Sequence, residues 1–434
     1  MNRLFSLTAA LFAAATAHAD PYCATLLSEE TLPKNYAKSA PVYSDAGSGW
    51  VFTKDQLKDR YDMKSSSQEL VQAIVDEFAK RDVQLAIMVA PPRPVVAGQA
   101  QLDTAMSDMR YDVGTARASF DKLIAGLAKT GAIVPNLSDA ALADPALRED
   151  FYFQRDTHWT PTGAAVSAIE LARLVNAFAP DLLPNDGSFG VADLRPSGTI
   201  EEKGSLAGLV RSVCGTDLDV ETATSFDLTR SGGLLDDTAE GPAIALVGSS
   251  FSDRYKRDHY RFGDALARAF DAEIENYSVS GGGPIGAIEA YVLSGALDRR
   301  EHPLVIWELP YTESFNSVSF LRQLLGALQR DGAPVEVAHV EQSEQSVSIK
   351  VDANASLSGI EITAGDLSHQ SFRLQVRFDN GSTSKLSLSR RSSVPAEMRT
   401  ASLYSSLKFF GHRTPVEIVV SAGKDATIAG VGVF

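Results

Sequence analysis

The chain has 434 residues, of which 44% are hydrophobic and 22% are charged, and its formal net charge is −15 at neutral pH. This composition excludes a disordered or fibrous protein, and the length exceeds what one ordinary hydrophobic core accommodates, so we expect two domains. The acidic balance argues against nucleic acids and anionic membrane surfaces as partners.

Residues 1–19 carry the features of an export signal. Arg3 provides a positive start, residues 4–15 are mostly apolar, and Ala17 and Ala19 frame a small-residue cleavage site. The apolar run is too short to span a bilayer, which disfavours a membrane anchor, and no later run reaches that length. We therefore expect this signal peptide to be removed and the mature protein to reside in the periplasm.

The chain contains two cysteines, Cys23 and Cys214. An even number of cysteines in an exported chain predicts one disulfide bond, which here would link the mature N-terminus to the middle of the chain. In the chain-entropy view, closing so long a loop stabilises the fold by about 5 kcal/mol. The alternative is a pair of unrelated free thiols.

Segments with helical and strand patterns alternate between residues 66 and 309. Continuous apolar runs at 83–90, 243–247 and 304–309 are typical of buried parallel strands. The stretch 184–240 is rich in Gly, Ser and Asp, has little periodicity and is predicted to be a long irregular insertion. Strands and helices in turn predict an α/β domain whose parallel sheet is covered by helices on both faces. The other predicted elements are helices at 66–81, 115–129, 161–178, 260–270 and 285–297, and strands at 132–134 and 273–279.

The pattern changes near residue 331. From there on, short segments alternate apolar and polar residues, and Asn380-Gly381 is a strong hairpin signal. Short alternating strands separated by turns predict an all-β sandwich. We therefore expect an α/β domain over residues 20–330 and a smaller β-sandwich over residues 331–434. Exposed cations of the sandwich would offset the acidic balance locally; the candidates are Arg390, Arg391, Lys408 and Arg413.

A serine turn follows the second of the buried apolar runs, where the segment 243–253 leads from a strand into Gly248-Ser249-Ser250. In open parallel sheets ligands bind at the carboxyl ends of the strands, so a serine at this point is a candidate nucleophile. Gly248 would permit a tight turn there. The alternative is a serine that only caps or turns the chain, which is a common use of this residue.

Asp156 and His158 lie two residues apart, just before a helix that Thr160 would cap and Pro161 would begin. In an extended loop their side chains point the same way, so Asp156 can orient His158 while His158 takes a proton from a serine. The alternatives are a purely structural pair and a metal site. A metal site needs about three protein ligands, and no HExxH motif or second histidine cluster accompanies the pair, so we expect no metal.

The glycine run Gly281-Gly282-Gly283 follows a predicted strand and opens a helix. Its backbone N–H groups could stabilise an oxyanion, a role worth roughly 3–4 kcal/mol per donor in acyl transfer. A phosphate could be cradled in the same way, but the run lacks the lysine and hydroxyl residues of a P-loop. A plain tight turn is the other alternative.

These segments resemble the permuted SGNH-hydrolase-like domain of the alginate O-acetyltransferase family, whose periplasmic members acetylate exopolysaccharides. As in this family, and unlike most SGNH hydrolases, the histidine precedes the serine in the chain. The family's catalytic serine is the third residue of the Gly-x-Ser turn, which implies Ser250 rather than Ser249. The resemblance covers roughly residues 40–320 and is carried by Gly49 to Phe52, Asp156 to Pro161, Gly248 to Ser252 and Val305 to Glu308.

One branch of the family carries a C-terminal β-sandwich that resembles a carbohydrate-binding module, which implies this character for residues 331–434. Two departures from the pattern stand out. The Gly-x-Asn-Asp block, from which SGNH hydrolases take a third oxyanion donor, is missing, and the strand ending at Trp307-Glu308 stands in its place. Only one cysteine pair is present, so the sandwich would have no disulfide bond of its own.

The resemblance implies a periplasmic enzyme that acetylates hydroxyl groups of an alginate-like exopolysaccharide. Ser250, His158 and Asp156 would form the triad, with an acetyl-serine intermediate whose oxyanion lies on the N–H groups of Ser250 and of the Gly281–Gly283 turn. The scheme needs no cofactor, and the acetyl donor would arrive through a membrane-bound partner in an export complex. The alternatives are a secreted carbohydrate esterase or deacetylase with the same triad and a non-catalytic polysaccharide-binding scaffold of the export complex.

Overall fold

A computed structural model describes residues 20–34, 36–106, 110–183, 188–230, 243–253, 261–337, 339–343, 345–352, 356–411 and 413–434. The expected signal peptide, the start of the helix predicted from residue 260 and the stretches 184–187 and 231–240 of the predicted insertion lie outside these residues. Within the described ranges, no helix is long and apolar enough to cross a membrane.

The strands are, in chain order, β1 (Val42–Ser44), β2 (Val51–Thr53), β3 (Gln84–Val89), β4 (Pro196–Glu202), β5 (Glu221–Phe226), β6 (Ile244–Val247), β7 (Ile274–Asn276), β8 (Leu304–Leu309), β9 (His339–Gln342), β10 (Ser346–Lys350), β11 (Gly359–Ala364), β12 (Ser371–Phe378), β13 (Thr383–Ser389), β14 (Ser402–Ser406), β15 (Pro415–Ala422) and β16 (Ile428–Val433). The α-helices are α1 (Ser65–Ala79), α2 (Arg93–Ala97), α3 (Gln99–Ala105), α4 (Val113–Ala128), α5 (Leu137–Leu142), α6 (Pro145–Glu149), α7 (Pro161–Phe178), α8 (Ser205–Cys214), α9 (Phe262–Phe270), α10 (Gly286–Leu293) and α11 (Val318–Leu328). Short 3-10 helices lie at Ala24–Leu27, Ala37–Ser39, Lys54–Gln56, Val191–Asp193 and Ala396–Met398.

Four parallel strands form the central sheet, in the order β3-β8-β6-β7. Strands β6 and β8 are buried at every position. Because the side chains of a strand alternate between the two faces, both faces of the sheet's centre are covered, as the continuous apolar runs predict. Glu308 in β8 is the one charged residue among the buried positions of these two strands. The strand predicted at 132–134 forms only a single bridge, between Ile133 and Ala86.

Helix α7 begins where the sequence predicts. The Thr160 hydroxyl accepts the N–H groups of Thr162 and Gly163, and Pro161 is the first helical residue. A glycine is needed at position 163, because a Cβ atom there would come within 2.3 Å of the Phe151 carbonyl oxygen. The helix start thereby fixes where the loop containing His158 ends.

The prediction of a long irregular insertion at 184–240 was wrong in part. The antiparallel pair β4–β5 and the helix α8 lie within this stretch. Strand β4 is exposed along most of its length, so its residues need no apolar alternation. Helix α8 has apolar residues at positions 206, 209, 210 and 213, which is helical spacing, but the Gly-, Ser- and Asp-rich stretch around it obscures this signal.

A disulfide bond joins Cys23 to Cys214, whose Cα atoms lie 5.7 Å apart, as the even number of cysteines predicts. It ties the N-terminal segment to the last residue of α8. Apolar side chains from both segments, among them Leu26, Val42 and Leu206, form a small core of their own. The N-terminal segment and α8 therefore pack as one unit beside the main core.

After α11 the fold changes to two antiparallel sheets, with the strand orders β13-β12-β15-β10-β9 and β14-β11-β16. Strand β12 alternates exposed and buried residues along its whole length, as expected of a strand with one face on a core. The inward-facing residues build an apolar cluster separate from the core of the parallel sheet. This is the arrangement expected of a β-sandwich. The boundary between residues 330 and 331 stays a prediction.

Buried polar groups join the α/β part to the sandwich. Arg390 and Glu289 form an ion pair of 3.1 Å in which each side chain is 1% exposed, and Gln323 donates to Glu289 at 2.8 Å. Gly326 lies against the backbone of Ser405, where a Cβ atom would come within 2.5 Å. The expectation that Arg390 is an exposed cation was therefore wrong, because its charge is used inside this contact.

Candidate active site

Asp156, His158 and Ser250 form a chain of hydrogen bonds. Nε2 of His158 lies 2.8 Å from Oγ of Ser250, and Nδ1 lies 2.5 Å from Oδ1 of Asp156. Because a carboxylate only accepts hydrogen bonds, Nδ1 carries the proton of the neutral ring, and Nε2 is left to accept from the serine hydroxyl. The arrangement can deprotonate the serine and hold the resulting imidazolium beside a carboxylate.

Asp156 is fully buried, and donors surround its carboxylate. Oδ1 also accepts the backbone N–H of His158 at 2.9 Å, and Oδ2 accepts that of Ser205, the first residue of α8, at 2.5 Å. The dipole of a helix favours negative charge at this end. Burial alone raises the pKa of Asp156, but the His158 ring and these N–H groups hold that pKa well below its usual value. Asp156 is therefore ionised at neutral pH.

Strand β5 and the segment between β4 and β5 support the Asp156–His158 loop. The N–H groups of Gln154 and Arg155 each donate to the carboxylate of Glu221 at 2.7 Å. Gly204 packs against the Arg155 carbonyl, where a Cβ atom would come within 2.2 Å, and its φ of 76° also favours glycine. The predicted insertion thus positions the loop from one side.

Arg93 holds the loop from the other side. Its buried guanidinium donates to the carbonyl oxygens of Phe153 at 3.0 Å and Val51 at 2.6 Å. The same group lies over the rings of Trp50 and Phe52, 4.7 and 5.0 Å from their centroids. The segment from Gly49 to Phe52, which carries part of the family resemblance, therefore acts through Arg93 on the residues that precede Asp156.

Ser249 binds Glu308 and not His158. The backbone N–H of Ser249 donates to Oε2 of Glu308 at 2.7 Å, and its hydroxyl lies 3.0 Å from both carboxylate oxygens. The Ser252 hydroxyl donates to the same Oε2 atom at 2.9 Å. Of the two adjacent serines, the structure places only Ser250 within hydrogen-bond distance of the histidine ring.

Glu308 is the site residue whose role the sequence did not predict. It lies near the carboxyl end of β8 and is 1% exposed. Burial raises its pKa, while the Ser249 N–H and the two serine hydroxyls act in the opposite direction. A Cβ atom at position 248 would come within 2.6 Å of Oε2, so Gly248 is needed for this close approach. The signal in the sequence was a lone charged residue inside an apolar strand.

Aromatic packing fixes the plane of the His158 ring. Phe251 meets this ring edge-on, with the ring centroids 4.8 Å apart, and also packs against Trp159 at 5.0 Å. Trp159 is fully buried, so the whole stack is anchored in the core. The residue that follows Ser250 thus helps to orient the histidine ring that faces Ser250.

The glycine run forms a turn after β7. Gly281 and Gly283 have φ values of 74° and 77°, which glycine adopts without strain. The N–H of Gly282 donates to the Val279 carbonyl at 3.1 Å, so this amide is committed to the turn. The hydroxyl of Ser393, from the connection between β13 and β14, donates to the Gly281 carbonyl at 2.7 Å. A role of this turn in oxyanion binding stays a prediction.

The alternative that Asp156 and His158 ligate a metal finds no further ligands nearby. In the part of the chain that the structure describes, no three His, Cys, Asp or Glu side chains are grouped to hold an ion.

Comparison with known proteins gives a consistent set of relatives. A family model described as SGNH hydrolase-like domain, acetyltransferase AlgX, matches residues 46–311. The alginate biosynthesis protein AlgX of Pseudomonas syringae is 27% identical over 407 residues, which cover 88% of this chain and 81% of that protein. The probable alginate O-acetylase AlgJ of Pseudomonas putida is 24% identical over 272 residues, 60% and 67% of the two chains.

Among solved structures, that of Pseudomonas aeruginosa AlgX superposes with a TM-score of 0.70 at 19% sequence identity. The superposition covers 95% of this chain and 99% of that one. The fold is therefore shared across both the α/β part and the sandwich.

Proposed function

This chain belongs to the family of SGNH hydrolase-like acetyltransferase domains represented by AlgX, and we propose that it is a periplasmic O-acetyltransferase acting on hydroxyl groups of an alginate-like exopolysaccharide. The hydrogen-bonded chain from Asp156 through His158 to Ser250 carries the proposal. Relatives named for alginate biosynthesis and alginate O-acetylation support acetyl as the transferred group and alginate as the polymer.

In the first half-reaction, Oγ of Ser250 attacks the carbonyl carbon of an acetyl donor while Nε2 of His158 takes the hydroxyl proton. Asp156 remains ionised and stabilises the imidazolium, keeping Nδ1 protonated. When the tetrahedral intermediate collapses, His158 passes the proton to the leaving group. An acetyl ester remains on Ser250, and His158 is neutral again.

In the second half-reaction, a sugar hydroxyl replaces the donor. Nε2 of His158 takes the proton of this hydroxyl as its oxygen attacks the acetyl-serine carbonyl. Collapse of the second intermediate expels Ser250, which recovers its proton from His158. An esterase would run the same steps with water, so the two activities differ only in the acceptor that reaches the acetyl-serine.

The negative oxygen of each tetrahedral intermediate needs hydrogen-bond donors. We assign this role to the backbone N–H of Ser250, together with those of Gly281 and Gly283. Gly282, which the sequence also suggested, is left out because its amide is bonded to Val279. Each donor of this kind is worth roughly 3–4 kcal/mol in acyl transfer.

Water competes with the sugar at roughly 55 M, so a transferase must hold its acceptor at high effective concentration. The sandwich, which carries part of the contact around the Gly281 turn, is suited to keep a polymer near Ser250. The acetyl donor would be delivered by a membrane-bound partner, and the chain would work within an export complex.

The test supplies a chromogenic acetyl ester together with unacetylated alginate oligosaccharides and follows the products by mass spectrometry. Acetylated oligosaccharide is expected with the wild-type protein and should disappear in His158→Ala. Free acetate alone, with oligosaccharides of several polymers, would identify an esterase. No turnover of any donor would favour the non-catalytic scaffold.

A further inference from the structure

The connection between β13 and β14 reaches from the sandwich to the α/β part, and we name its residues 391–399 the strap. Val394 in the strap is fully buried, and it lies in the core of the α/β part and not in that of the sandwich. Its side chain contacts the first residue of α10, where a Cβ atom at Gly286 would come within 3.1 Å of it. One apolar side chain therefore anchors the strap beside the helix that follows the Gly281–Gly283 turn.

Arg399 braces the strap from within. Its guanidinium donates to the carbonyl oxygens of Ser392 at 2.6 Å and Val394 at 2.7 Å, and it also donates to the Leu367 carbonyl at 3.1 Å. Hydrogen bonds from a charged donor are the stronger ones, so three of them from one side chain restrict the strap backbone. The tip of the strap, residues 391–393, is thereby held in place.

The tip of the strap binds the Gly281–Gly283 turn. The hydroxyl of Ser393 donates to the Gly281 carbonyl at 2.7 Å, and Nη1 of Arg391 donates to the same oxygen at 3.3 Å. The Arg391 guanidinium also lies against Gly283, where a Cβ atom would come within 2.8 Å of Nε. Two donors from the sandwich thus converge on one carbonyl oxygen of the turn.

A run of three glycines does not fix its own backbone. Glycine adopts positive φ about as readily as negative φ, so contacts from elsewhere must set the direction of each N–H group. The peptide between Gly281 and Gly282 is held at both ends, because the strap binds its oxygen and its N–H donates to the Val279 carbonyl at 3.1 Å. Within the described residues, the flanking N–H groups of Gly281 and Gly283 make no hydrogen bond. These two are the N–H groups that we assign to the oxyanion, and a rotation of the peptide between them would redirect both.

Contacts from the α/β part fix only the two ends of this turn. The N–H of Ser280 donates to the Asp253 carboxylate at 2.9 Å, and Nε1 of Trp307 donates to the Pro284 carbonyl at 3.0 Å. Neither contact touches a glycine of the turn. The glycines themselves are held from outside by the strap.

We propose that Ser393 and Arg391 are positioning residues for acyl transfer, which act through the Gly281 carbonyl on the two N–H groups that receive the oxyanion. This inference rests on the proposed function and gives the sandwich a part in the chemical step. The guanidinium of Arg391 also brings a positive charge to the turn, which favours a negative oxygen there. Because the triad lies outside these contacts, their loss should leave the hydrogen bond between Ser250 and His158 intact.

Steady-state kinetics of the full-length protein on a chromogenic acetyl ester test the strap. Ser393→Ala should lower kcat and kcat/KM alike by about tenfold, because an oxyanion donor acts mainly in the transition state. Ser393→Thr keeps the hydroxyl and should restore the wild-type rate. Ser392→Ala is the matched control at the neighbouring exposed position, whose hydroxyl makes no hydrogen bond to a described residue, and it should leave both constants unchanged.

A double variant, Arg391→Ala with Ser393→Ala, tests whether the two side chains act on one carbonyl. Each single variant keeps one donor on Gly281, so the double variant should lose more than the product of the two single losses, roughly 100-fold in kcat. Equal rates in Ser393→Ala and Ser392→Ala would overturn the inference. Single losses that merely multiply in the double variant would contradict the shared action on Gly281.

Hydrogen exchange separates this inference from the proposed function. Mass spectrometry of the peptide that contains residues 278–284 should show faster amide exchange in Ser393→Ala than in Ser392→Ala. A wild-type protein that turns over no ester would lose the proposed function, and faster exchange would still show that the strap holds the turn. Unchanged exchange together with full activity in Ser393→Ala would keep the function and overturn the role of the strap.

Discussion

Ser249 binds the buried carboxylate of Glu308 through both its backbone N–H and its hydroxyl. Its carbonyl accepts the N–H of Ser252 at 3.1 Å, so Ser249 is held at both ends. Fixing Ser249 fixes the peptide plane whose N–H belongs to Ser250, the proposed oxyanion donor. We therefore propose Glu308 as a positioning residue that acts through Ser249 on Ser250, the proposed nucleophile.

Replacing Glu308 tests this relationship. Glu308→Ala should lower kcat on a chromogenic acetyl ester about 100-fold with little change in KM, because a misdirected oxyanion donor is felt in the transition state. Glu308→Gln should retain most of the activity, since the amide oxygen can still accept the Ser249 N–H and the amide nitrogen can donate to its hydroxyl. Ser252→Ala, which removes one hydrogen bond, should fall between the two. An unchanged kcat in a folded Glu308→Ala variant would contradict the role.

Ser250→Ala should abolish ester turnover, with a loss in kcat of roughly 10⁴-fold or more, because no nucleophile remains. Ser249→Ala should keep much of the activity, since its backbone N–H still binds Glu308. Mass spectrometry after treatment with a serine-reactive phosphonate should locate the adduct on Ser250. An adduct on Ser249 would reverse the assignment of the two serines.

Asp156→Asn should lower kcat by roughly 10⁴-fold, because an amide can donate to Nδ1 and so favour the wrong tautomer of His158. The substitution preserves shape, so the variant should fold. Steady-state kinetics on the acetyl ester measure the loss. A decrease of less than tenfold would show that the carboxylate charge does not serve the reaction.

The same substitution predicts a pH dependence of stability. The pKa of Asp156 is lower in the folded chain than the value of about 3.9 expected when unfolded, so its ionised form stabilises the fold. This contribution is complete above that unfolded value and is lost as the pH falls through the folded pKa. The Tm difference between wild type and Asp156→Asn should be constant from pH 6 to 8 and shrink below about pH 4. A difference that grows on acidification would contradict the lowered pKa.

Arg390→Ala should reduce the free energy of unfolding by about 3–5 kcal/mol, because it leaves the carboxylate of Glu289 buried without its cation. Arg391→Ala, at the neighbouring exposed position, is the control and should change stability much less. Replacing both Glu289 and Arg390 with apolar residues should recover part of the loss. Urea unfolding gives the three values, and equal losses for Arg390→Ala and Arg391→Ala would show that the ion pair contributes nothing.

The sequence predicts those strands and helices for which the neighbouring residues all indicate the same structure. The apolar runs of β3, β6 and β8 identify the parallel sheet, and Thr160 with Pro161 marks the start of α7. The pairing of Ser250 with His158 was suggested by residue types and by family resemblance, and the structure places the two side chains 2.8 Å apart. The strands and the helix start are encoded by neighbouring residues, whereas the contact between Ser250 and His158 joins residues 92 positions apart and was suggested by residue types and the resemblance.

What the sequence could not show depends on contacts between distant segments. Glu308 lies 59 residues from Ser249, and nothing near either residue indicates that they meet. The sequence predicts an exposed cation at Arg390 because its partner Glu289 lies 101 residues earlier in the chain, in α10. The support that Ser205 gives to Asp156 could not be predicted for the same reason, because the two residues lie 49 positions apart in the chain.

The bond between Cys23 and Cys214 has a consequence for when the protein becomes competent. Cys214 ends the same helix whose first residue, Ser205, donates its N–H to Asp156. In a reducing compartment this helix has no covalent tether, and the carboxylate that orients His158 loses part of its support. In an oxidising compartment the disulfide bond ties the N-terminal segment to this helix, whose first residue binds the Asp156 carboxylate. The support behind Asp156 is therefore complete only after the two cysteines have been oxidised to the disulfide bond.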